Sequence, residues 1–422
     1  MAGEQGAAHS MIPLALDQQK ASVAAAGRSH LTLALCAAAA MFEGFDTQSM
    51  GVAAPRLVAE FGLSASQSGL IFSAATMGLF VGAGIGGRVA DHVGRKRTLV
   101  WSLGLLGVFS ILTSVSRSPQ ALLVARVLTG LGLGGAMPNF ISLSSESVEL
   151  HRRLSAVMVV MAAMPFGGAC AGLVALGASL GWDWRTIFYV GGGCPLLVAL
   201  MMAFRLPESR GFVHRTGGPA RPVVQSVAEA LFSEARGRTT LLLWAAYFFT
   251  QLVLLLMLNW LPSLMIGLGF SRLQASWISV AFNVSGAAFA IGLGRLCARG
   301  ERRRWIALTY GGMTCALAAV AFMHVTFAAA LIACAFAGAF IIAAQLILYA
   351  LAPLFYPTRI RGTGVGASVA MGRMGSVVGP LFAGSLLATG GGSAAVLLAI
   401  LPFALAGGSA AIALTWRPES RE

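Results

Sequence analysis

Twelve apolar runs, each long enough to cross the hydrocarbon core of a bilayer, follow one another along most of the 422-residue chain. A helix needs about 20 apolar residues to span roughly 30 Å of hydrocarbon. Only helices and closed barrels satisfy every backbone polar group in lipid, so the pattern predicts an all-α integral membrane protein with twelve transmembrane helices. The runs lie at residues 31–54, 66–90, 98–116, 120–145, 154–180, 184–206, 239–262, 272–296, 305–323, 326–350, 362–388 and 393–416.

The composition agrees with a chain that faces lipid. Charged residues make up 10% of it and hydrophobic residues 57%, whereas a soluble domain carries roughly 25% charged residues. The net charge of +14 would suggest nucleic acid in a soluble protein. Here the basic residues occupy short loops without an aromatic stripe, so we expect no nucleic-acid partner. The six cysteines form no C-x-x-C pair, and neither a metal site nor a cofactor is indicated.

One long hydrophilic interruption, residues 207–238, divides the runs into two sets of six. We therefore predict an N-terminal six-helix bundle over 31–206, a central cytoplasmic loop, and a C-terminal bundle over 239–416. The tails are residues 1–30 and 417–422. The first is polar and Ala-rich and lacks the apolar core of a signal peptide, and we expect a disordered cytoplasmic tail there. Two pseudo-symmetric bundles around a midplane site are typical of secondary transporters.

Basic residues are distributed unequally between the two sides of this arrangement. With the amino terminus inside, 23 Lys and Arg residues lie on the cytoplasmic side and 4 on the opposite side. Positive loops are retained in the cytoplasm, so we expect a multi-pass protein of the bacterial inner membrane with both termini cytoplasmic. The two remaining basic residues, Arg126 and Arg373, fall inside apolar runs.

Charged residues inside the apolar runs are the first functional candidates, because each costs at least ~2.5 kcal/mol at the bilayer centre. Glu43 and Asp46 lie three residues apart on one face of the first helix and are candidates for proton coupling. Arg126 lies at a depth that suggests an ion pair with Asp46, which protonation would open for an anionic substrate. A purely structural pair or a snorkelling Arg126 is the alternative. Arg373 would anchor a carboxylate or, alternatively, pack against backbone carbonyls of a neighbouring helix.

Several uncharged polar residues also lie at membrane depth. We expect structural hydrogen bonds from them before substrate contacts, and we expect Asn259 with Trp260 to gate the periplasmic entrance. The residues of this group are Gln251, Asn259, Asn283, Gln345 and Tyr349. Asn259, Gln345 and Tyr349 join Arg126 and Arg373 as candidate substrate-binding residues. No H-E-x-x-H motif or nucleophile–base set appears, so we expect no catalytic residues and no enzyme activity.

The connection between the second and third runs reads G-x-x-x-D-x-x-G-R-K-R over residues 87–97. This pattern resembles the loop signature of the major facilitator superfamily and predicts a tight cytoplasmic turn. Its glycines would permit close packing, and Asp91 would pair with helix ends or arginines. In the second half Ala298 replaces the aspartate, so gating would depend mainly on Asp91. The candidate gating residues are Gly87, Asp91, Gly94 and Arg95.

Five motifs together resemble the aromatic acid:proton symporters of that superfamily. Glutamate at position 43, where many relatives have aspartate, is similar to the branch that carries 3-(3-hydroxyphenyl)propionate. The resemblance implies import of such an aromatic carboxylate by proton symport with alternating access, and we expect a monomer in the lipid bilayer. A carrier of another organic anion such as a benzoate, or an efflux carrier, is the alternative. The motifs are residues 43–46, the 87–97 loop, R-x-x-x-G-x-G-x-G from Arg126, Asn259-Trp260-Leu261-Pro262, and residues 356–364.

Overall fold

The computed structural model describes residues 4–149, 153–179, 183–208, 231–232, 236–297, 302–322, 326–356 and 361–416. These residues are almost entirely helical and contain no strand. The N-terminal half comprises α1 (Glu4–Phe61), α2 (Ala65–Val93), α3 (Arg95–Val115), α4 (Pro119–Glu146), α5 (Arg153–Ser179) and α6 (Arg185–Arg205). The C-terminal half comprises α7 (Gly237–Gly267), α8 (Arg272–Cys297), α9 (Arg302–Phe322), α10 (Phe327–Leu351), α11 (Arg361–Ala388), α12 (Ser393–Ala399) and α13 (Leu401–Leu414).

Each predicted run falls on one helix, and the last falls on α12 and α13, which together form a single span from Ser393 to Leu414. The described chain therefore has twelve membrane-crossing segments, six in each half. Eight of them are long and apolar enough to cross a membrane by length and composition alone. Two that are not, α1 and α11, carry Glu43, Asp46 and Arg373 at membrane depth, and these side chains lower their mean hydropathy.

The first helix is longer than predicted. It begins at Glu4 and ends at Phe61, so most of the segment that we predicted to be disordered is helical in the structure. Its many alanines explain this difference, because alanine has the highest intrinsic helix propensity. The predicted C-terminal tail, residues 417–422, and most of the central loop lie outside the described residues.

The two halves pack against each other along three helix pairs, α1 with α7, α2 with α11 and α5 with α8. Gly51 lets α1 approach α7 closely, since a Cβ there would lie 2.3 Å from the Leu258 carbonyl oxygen. On α2, the Ser73 hydroxyl donates to the Val377 carbonyl oxygen of α11 at 2.8 Å. The α1–α7 and α2–α11 contacts lie toward the end of the bundle where α1 ends and α2 begins. The halves are therefore closed at the end that the sequence predicts to be periplasmic.

Candidate functional site

A cavity of about 130 Å³ lies between the two halves. Four helices of each half line it: α1, α2, α4 and α5, and the corresponding α7, α8, α10 and α11. All seven proton-coupling and substrate-binding candidates line this cavity: Glu43, Asp46, Arg126, Asn259, Gln345, Tyr349 and Arg373. On the side away from the closed end, the lining residues Met161 and Tyr349 are partly exposed. The cavity therefore opens toward the predicted cytoplasmic side.

Asp46 of α1 and Arg126 of α4 form a buried two-point ion pair. Arg126 Nη1 donates to Asp46 Oδ1 at 2.7 Å, and Nη2 donates to Oδ2 at 2.8 Å. The two side chains are only 2% and 1% exposed, and the guanidinium also lies 5.8 Å from the centroid of the Phe188 ring. The predicted pairing is confirmed, and a snorkelling Arg126 is excluded. Parallel charge-assisted hydrogen bonds of this kind are the strongest that a carboxylate and a guanidinium form.

Glu43 lies one helical turn before Asp46 and is equally buried, with 1% of its surface exposed. Neither of its carboxylate oxygens has a hydrogen-bond partner among the described residues. The charge of Arg373 attracts the ionised Glu43 carboxylate, and the charge of Asp46 repels it. Two acids on one helix face thus occupy different environments: one is fully paired within its own half, and the other faces a cation of the opposite half.

Arg373 extends from α11 to the opposite half. Its Nη2 lies 2.9 Å from the thioether sulfur of Met137 on α4, and no carboxylate of the described residues lies within ion-pair distance of it. A thioether is a weak acceptor. The contact is therefore not the bond to a backbone carbonyl that a helix-packing role would use. Arg373 lines the cavity and donates no other hydrogen bond to the described residues.

The amide side chains differ in the way that they are satisfied. Asn259 Nδ2 donates to the Leu255 carbonyl oxygen at 2.9 Å, and Asn283 Nδ2 donates to the Ser279 carbonyl oxygen at 3.0 Å. These are structural bonds, as expected. Gln345 does not follow that expectation, because neither its amide oxygen nor its nitrogen has a partner among the described residues. The amide oxygen of Gln251 also lacks one.

Aromatic side chains complete the site. The Tyr349 ring lies edge-on to Tyr247, with 5.8 Å between the ring centroids. Next to Asn259, the Trp260 indole N–H donates to the Pro380 carbonyl oxygen at 3.1 Å. The Trp260 ring also packs edge-on against the Phe72 ring of the other half, with 4.9 Å between the ring centroids. Trp260 therefore belongs to the contacts that hold the halves together at the closed end.

Sequence reasoning missed Gln48. Its Nε2 donates to the Leu258 carbonyl oxygen of α7 at 2.9 Å, and its Oε1 accepts from Asn283 of α8 at 3.1 Å. Gln48 thus connects α1 to two helices of the opposite half. The available signal was its place two residues after Asp46, as an amide side chain within the first apolar run.

The candidate gating loop is shorter than predicted. Helix α2 continues to Val93, so Gly87 lies inside the helix and Gly94 alone makes the turn, with a φ of 101° that favours glycine. Arg95 forms an ion pair with Glu146 at the end of α4. The side chain of Asp91 is not described in the structure, so the gating role of Asp91 stays a prediction, as does that of Gly87.

The sequence model of one protein family, described as the Major Facilitator Superfamily, matches residues 36–380. The chain belongs to this superfamily. A 3-(3-hydroxy-phenyl)propionate transporter of Escherichia coli (strain K12) is 40% identical over 92% of this chain and 95% of its own length. A gallate transporter of Pseudomonas putida is 31% identical over 85% of this chain and 86% of its own length.

Among solved structures, a D-xylose–proton symporter superimposes with a TM-score of 0.75 at 19% identity, covering 92% of this chain and 97% of that one. The predicted major facilitator fold is confirmed. The protein is a multi-pass inner-membrane transporter of a small molecule, not an enzyme.

Proposed function

We propose that this transporter imports an aromatic carboxylate, 3-(3-hydroxyphenyl)propionate or a close phenylpropanoid, by proton symport with alternating access. The observation that carries the proposal is Arg373, a cation that faces the cavity without an ion-paired acid among the described residues. The substrate follows from the relative in Escherichia coli that is 40% identical. Relatives that transport gallate and 4-hydroxybenzoate support the wider class of aromatic acids.

Arg373, rather than Arg126, receives the substrate carboxylate. Both Nη atoms of Arg126 already donate to Asp46, so substrate binding there would require this buried pair to open. Breaking a buried ion pair costs about 3–5 kcal/mol. Arg373 has only a thioether contact to lose, and a guanidinium binds a carboxylate through two parallel hydrogen bonds.

Glu43 couples the proton to the substrate. When ionised, it provides the negative charge that balances Arg373 across the cavity. When it takes up a proton, the substrate carboxylate replaces that negative charge, and the net charge of the site stays the same. Substrate without a proton would leave two carboxylates facing one guanidinium, and an uncompensated buried charge is costly. Asp46 is the second proton-coupling candidate, because its protonation would weaken its pair with Arg126.

Transport proceeds by rocking of the two halves about this site. The structure's closed end would open by separation of α1 from α7, α2 from α11 and α5 from α8, while the other end closes. With both termini in the cytoplasm, the described conformation opens inward. The protein works as a monomer in the lipid bilayer, since one chain contains both halves and the complete cavity lining.

The test is uptake of radiolabelled 3-(3-hydroxyphenyl)propionate into cells that express the protein, with and without an uncoupler. We expect accumulation that the uncoupler abolishes, and competition by related phenylpropanoids. The Arg373→Ala variant, checked for equal membrane levels, is the matched control. Accumulation that persists without a proton gradient would contradict symport. Absence of uptake, together with uptake of benzoates in a substrate panel, would reassign the substrate while retaining the fold.

A further inference from the structure

Two buried glutamines face the cavity from the C-terminal half with unused hydrogen-bonding groups. Gln251 of α7 is 4% exposed and Gln345 of α10 is 5% exposed, and both line the cavity. The Gln345 amide oxygen and nitrogen, and the Gln251 amide oxygen, have no partner among the described residues. Leaving a buried polar group unsatisfied costs about 1–3 kcal/mol. Native proteins retain such groups rarely, and each one calls for an explanation such as a ligand.

The two glutamines lie at the same level of the bundle. Helices α7 and α10 run in opposite directions because α8 and α9 separate them along the chain. One level is marked by the Tyr247–Tyr349 ring contact at 5.8 Å and by the Tyr247 hydroxyl, which donates to the Leu348 carbonyl oxygen at 2.8 Å. Gln251 follows Tyr247 by one helical turn, and Gln345 precedes Tyr349 by one turn. Because the two helices are antiparallel, both glutamines lie one turn from the tyrosine level, on the same side of it.

Arg373 lies beside this pair. A Cβ at the neighbouring Gly372 would lie 3.1 Å from Cγ of Gln251, so the backbone of α11 contacts the stem of that glutamine. The Arg373 guanidinium, however, reaches across to Met137 of the opposite half. The length of the arginine side chain therefore separates the cation from the amides. The aromatic rings of Phe72 and Tyr349 are among the groups that line the space around them.

The free groups suit a phenolic hydroxyl. Such a hydroxyl has one hydrogen to donate and lone pairs to accept with. It would accept from the Gln345 amide nitrogen and donate to the Gln251 amide oxygen. A second carboxylate would fit poorly, because it cannot donate to the amide oxygens that also lack partners.

We propose that Gln251 and Gln345 form a subsite for the ring hydroxyl of the substrate, while Arg373 holds its carboxylate. This inference rests on the proposed function and adds the reason for choosing hydroxylated aromatic acids over unsubstituted ones. A site built to hydrogen-bond a substrate hydroxyl discriminates strongly against the analogue that lacks it, because its own polar groups then remain unpaired.

The experiment compares uptake of 3-(3-hydroxyphenyl)propionate and 3-phenylpropionate by the wild type and by Gln345→Leu and Gln251→Leu. We expect the wild type to prefer the hydroxylated acid. In either variant the KM for that acid should rise at least roughly tenfold, while the KM for 3-phenylpropionate stays the same or falls. Asn283→Leu is the matched control, since its amide is bonded within the protein, and it should affect both acids equally.

Three outcomes would overturn the inference. They are a wild type that transports both acids equally well, variants that keep the wild-type preference, and variants that lose both acids in parallel as the Asn283→Leu control does. Gln345→Met, which keeps the side-chain length without the amide, replaces a Gln345→Leu protein that fails to reach the membrane. A wild type that accumulates neither acid would instead refute the proposed function, and the subsite with it.

Discussion

The two halves of the transporter differ sharply in how their charges are balanced. The N-terminal half, residues 31–206, holds seven acidic and eleven basic residues, whereas the C-terminal half, residues 239–416, holds nine basic residues and one acid, Glu301. The ion pairs among the described residues all lie in the N-terminal half. Arg373 therefore belongs to a half that has almost no acid to neutralise it, and the only acid of that half is predicted to lie in a cytoplasmic loop.

This difference suggests that the two walls of the cavity have different roles, one in substrate recognition and the other in proton coupling. The wall of the N-terminal half contains the Asp46–Arg126 ion pair, in which both Nη atoms of the arginine already donate to the carboxylate. The opposite wall offers Arg373 and the free amide groups of Gln251 and Gln345. A substrate gains most where hydrogen-bonding groups are unused, so we expect recognition to depend on the C-terminal half. We expect proton coupling to depend on the acids of the N-terminal half.

The largest effect should come from breaking the buried Asp46–Arg126 ion pair. Asp46→Asn leaves the Arg126 charge buried without its counter-ion, which should destabilise the protein by about 3–5 kcal/mol and abolish proton-driven accumulation. Thermal unfolding of the purified protein and uncoupler-sensitive uptake are the measurements. The double variant Asp46→Leu/Arg126→Leu removes both charges and should recover stability without recovering accumulation. Full accumulation by Asp46→Asn in the membrane would disprove its part in coupling.

Removal of the unpaired cation should affect substrate binding more than folding. Arg373→Ala should raise the KM for the aromatic acid by roughly a hundredfold or abolish uptake, since losing one partner of a buried charge pair costs about 2–5 kcal/mol. Arg373→Lys keeps the charge but not the planar geometry, so its KM should lie between those of the wild type and Arg373→Ala. Met137→Leu, which removes only the thioether contact, is the control and should change the KM little. Unchanged uptake by Arg373→Ala would assign that residue to helix packing.

Glu43→Gln tests whether the two acids of α1 differ as their surroundings do. Its carboxylate oxygens have no hydrogen-bond partner among the described residues, so we expect little loss of stability, in contrast to Asp46→Asn. Substrate should still bind and equilibrate across the membrane, but accumulation against a gradient should cease and uptake should lose its pH dependence. Counterflow and net uptake, measured between pH 5.5 and 8, separate these two activities. A variant that still concentrates substrate would exclude Glu43 as the coupling residue.

The sequence predicted the fold well because the bilayer constrains it so strongly. The apolar runs match the helix bounds within a few residues, except for α1, where the polar Ala-rich segment before residue 31 is helical. The Asp46–Arg126 pair was predictable for a similar reason, since two opposite charges at similar depth gain most by meeting. The amides were not predictable. The rotation of each helix about its axis decides whether Gln48 connects the two halves and whether Gln345 stays without a hydrogen-bond partner. A single neutral residue in the sequence does not determine that rotation.

The smallest effect concerns a charge pair outside the membrane spans. Glu60, beyond the predicted outer end of the first span, accepts hydrogen bonds from Arg185 at 2.5 Å and from the Trp184 indole at 2.6 Å. The hydrogen bonds from Arg185 and Trp184 lower the pKa of Glu60 below its ordinary value. The pair thus stabilises the fold above the ordinary glutamate pKa of about 4.3, and this contribution is lost as pH falls through the lower folded-state pKa.

Glu60→Gln should therefore lower the Tm slightly at pH 7, and the difference from the wild type should shrink as the pH falls below about 4. The Glu60 side chain is 40% exposed, so solvent screening limits the expected loss to about 1 kcal/mol or less. Arg272→Gln is the control from the other half, because no described acid forms an ion pair with Arg272. This variant should leave the Tm unchanged both at pH 7 and below about pH 4. If Arg272→Gln lowered the Tm with the same pH dependence as Glu60→Gln, the outer charges of the C-terminal half would be neutralised by ion pairs as well. The contrast between the halves would then be confined to the cavity.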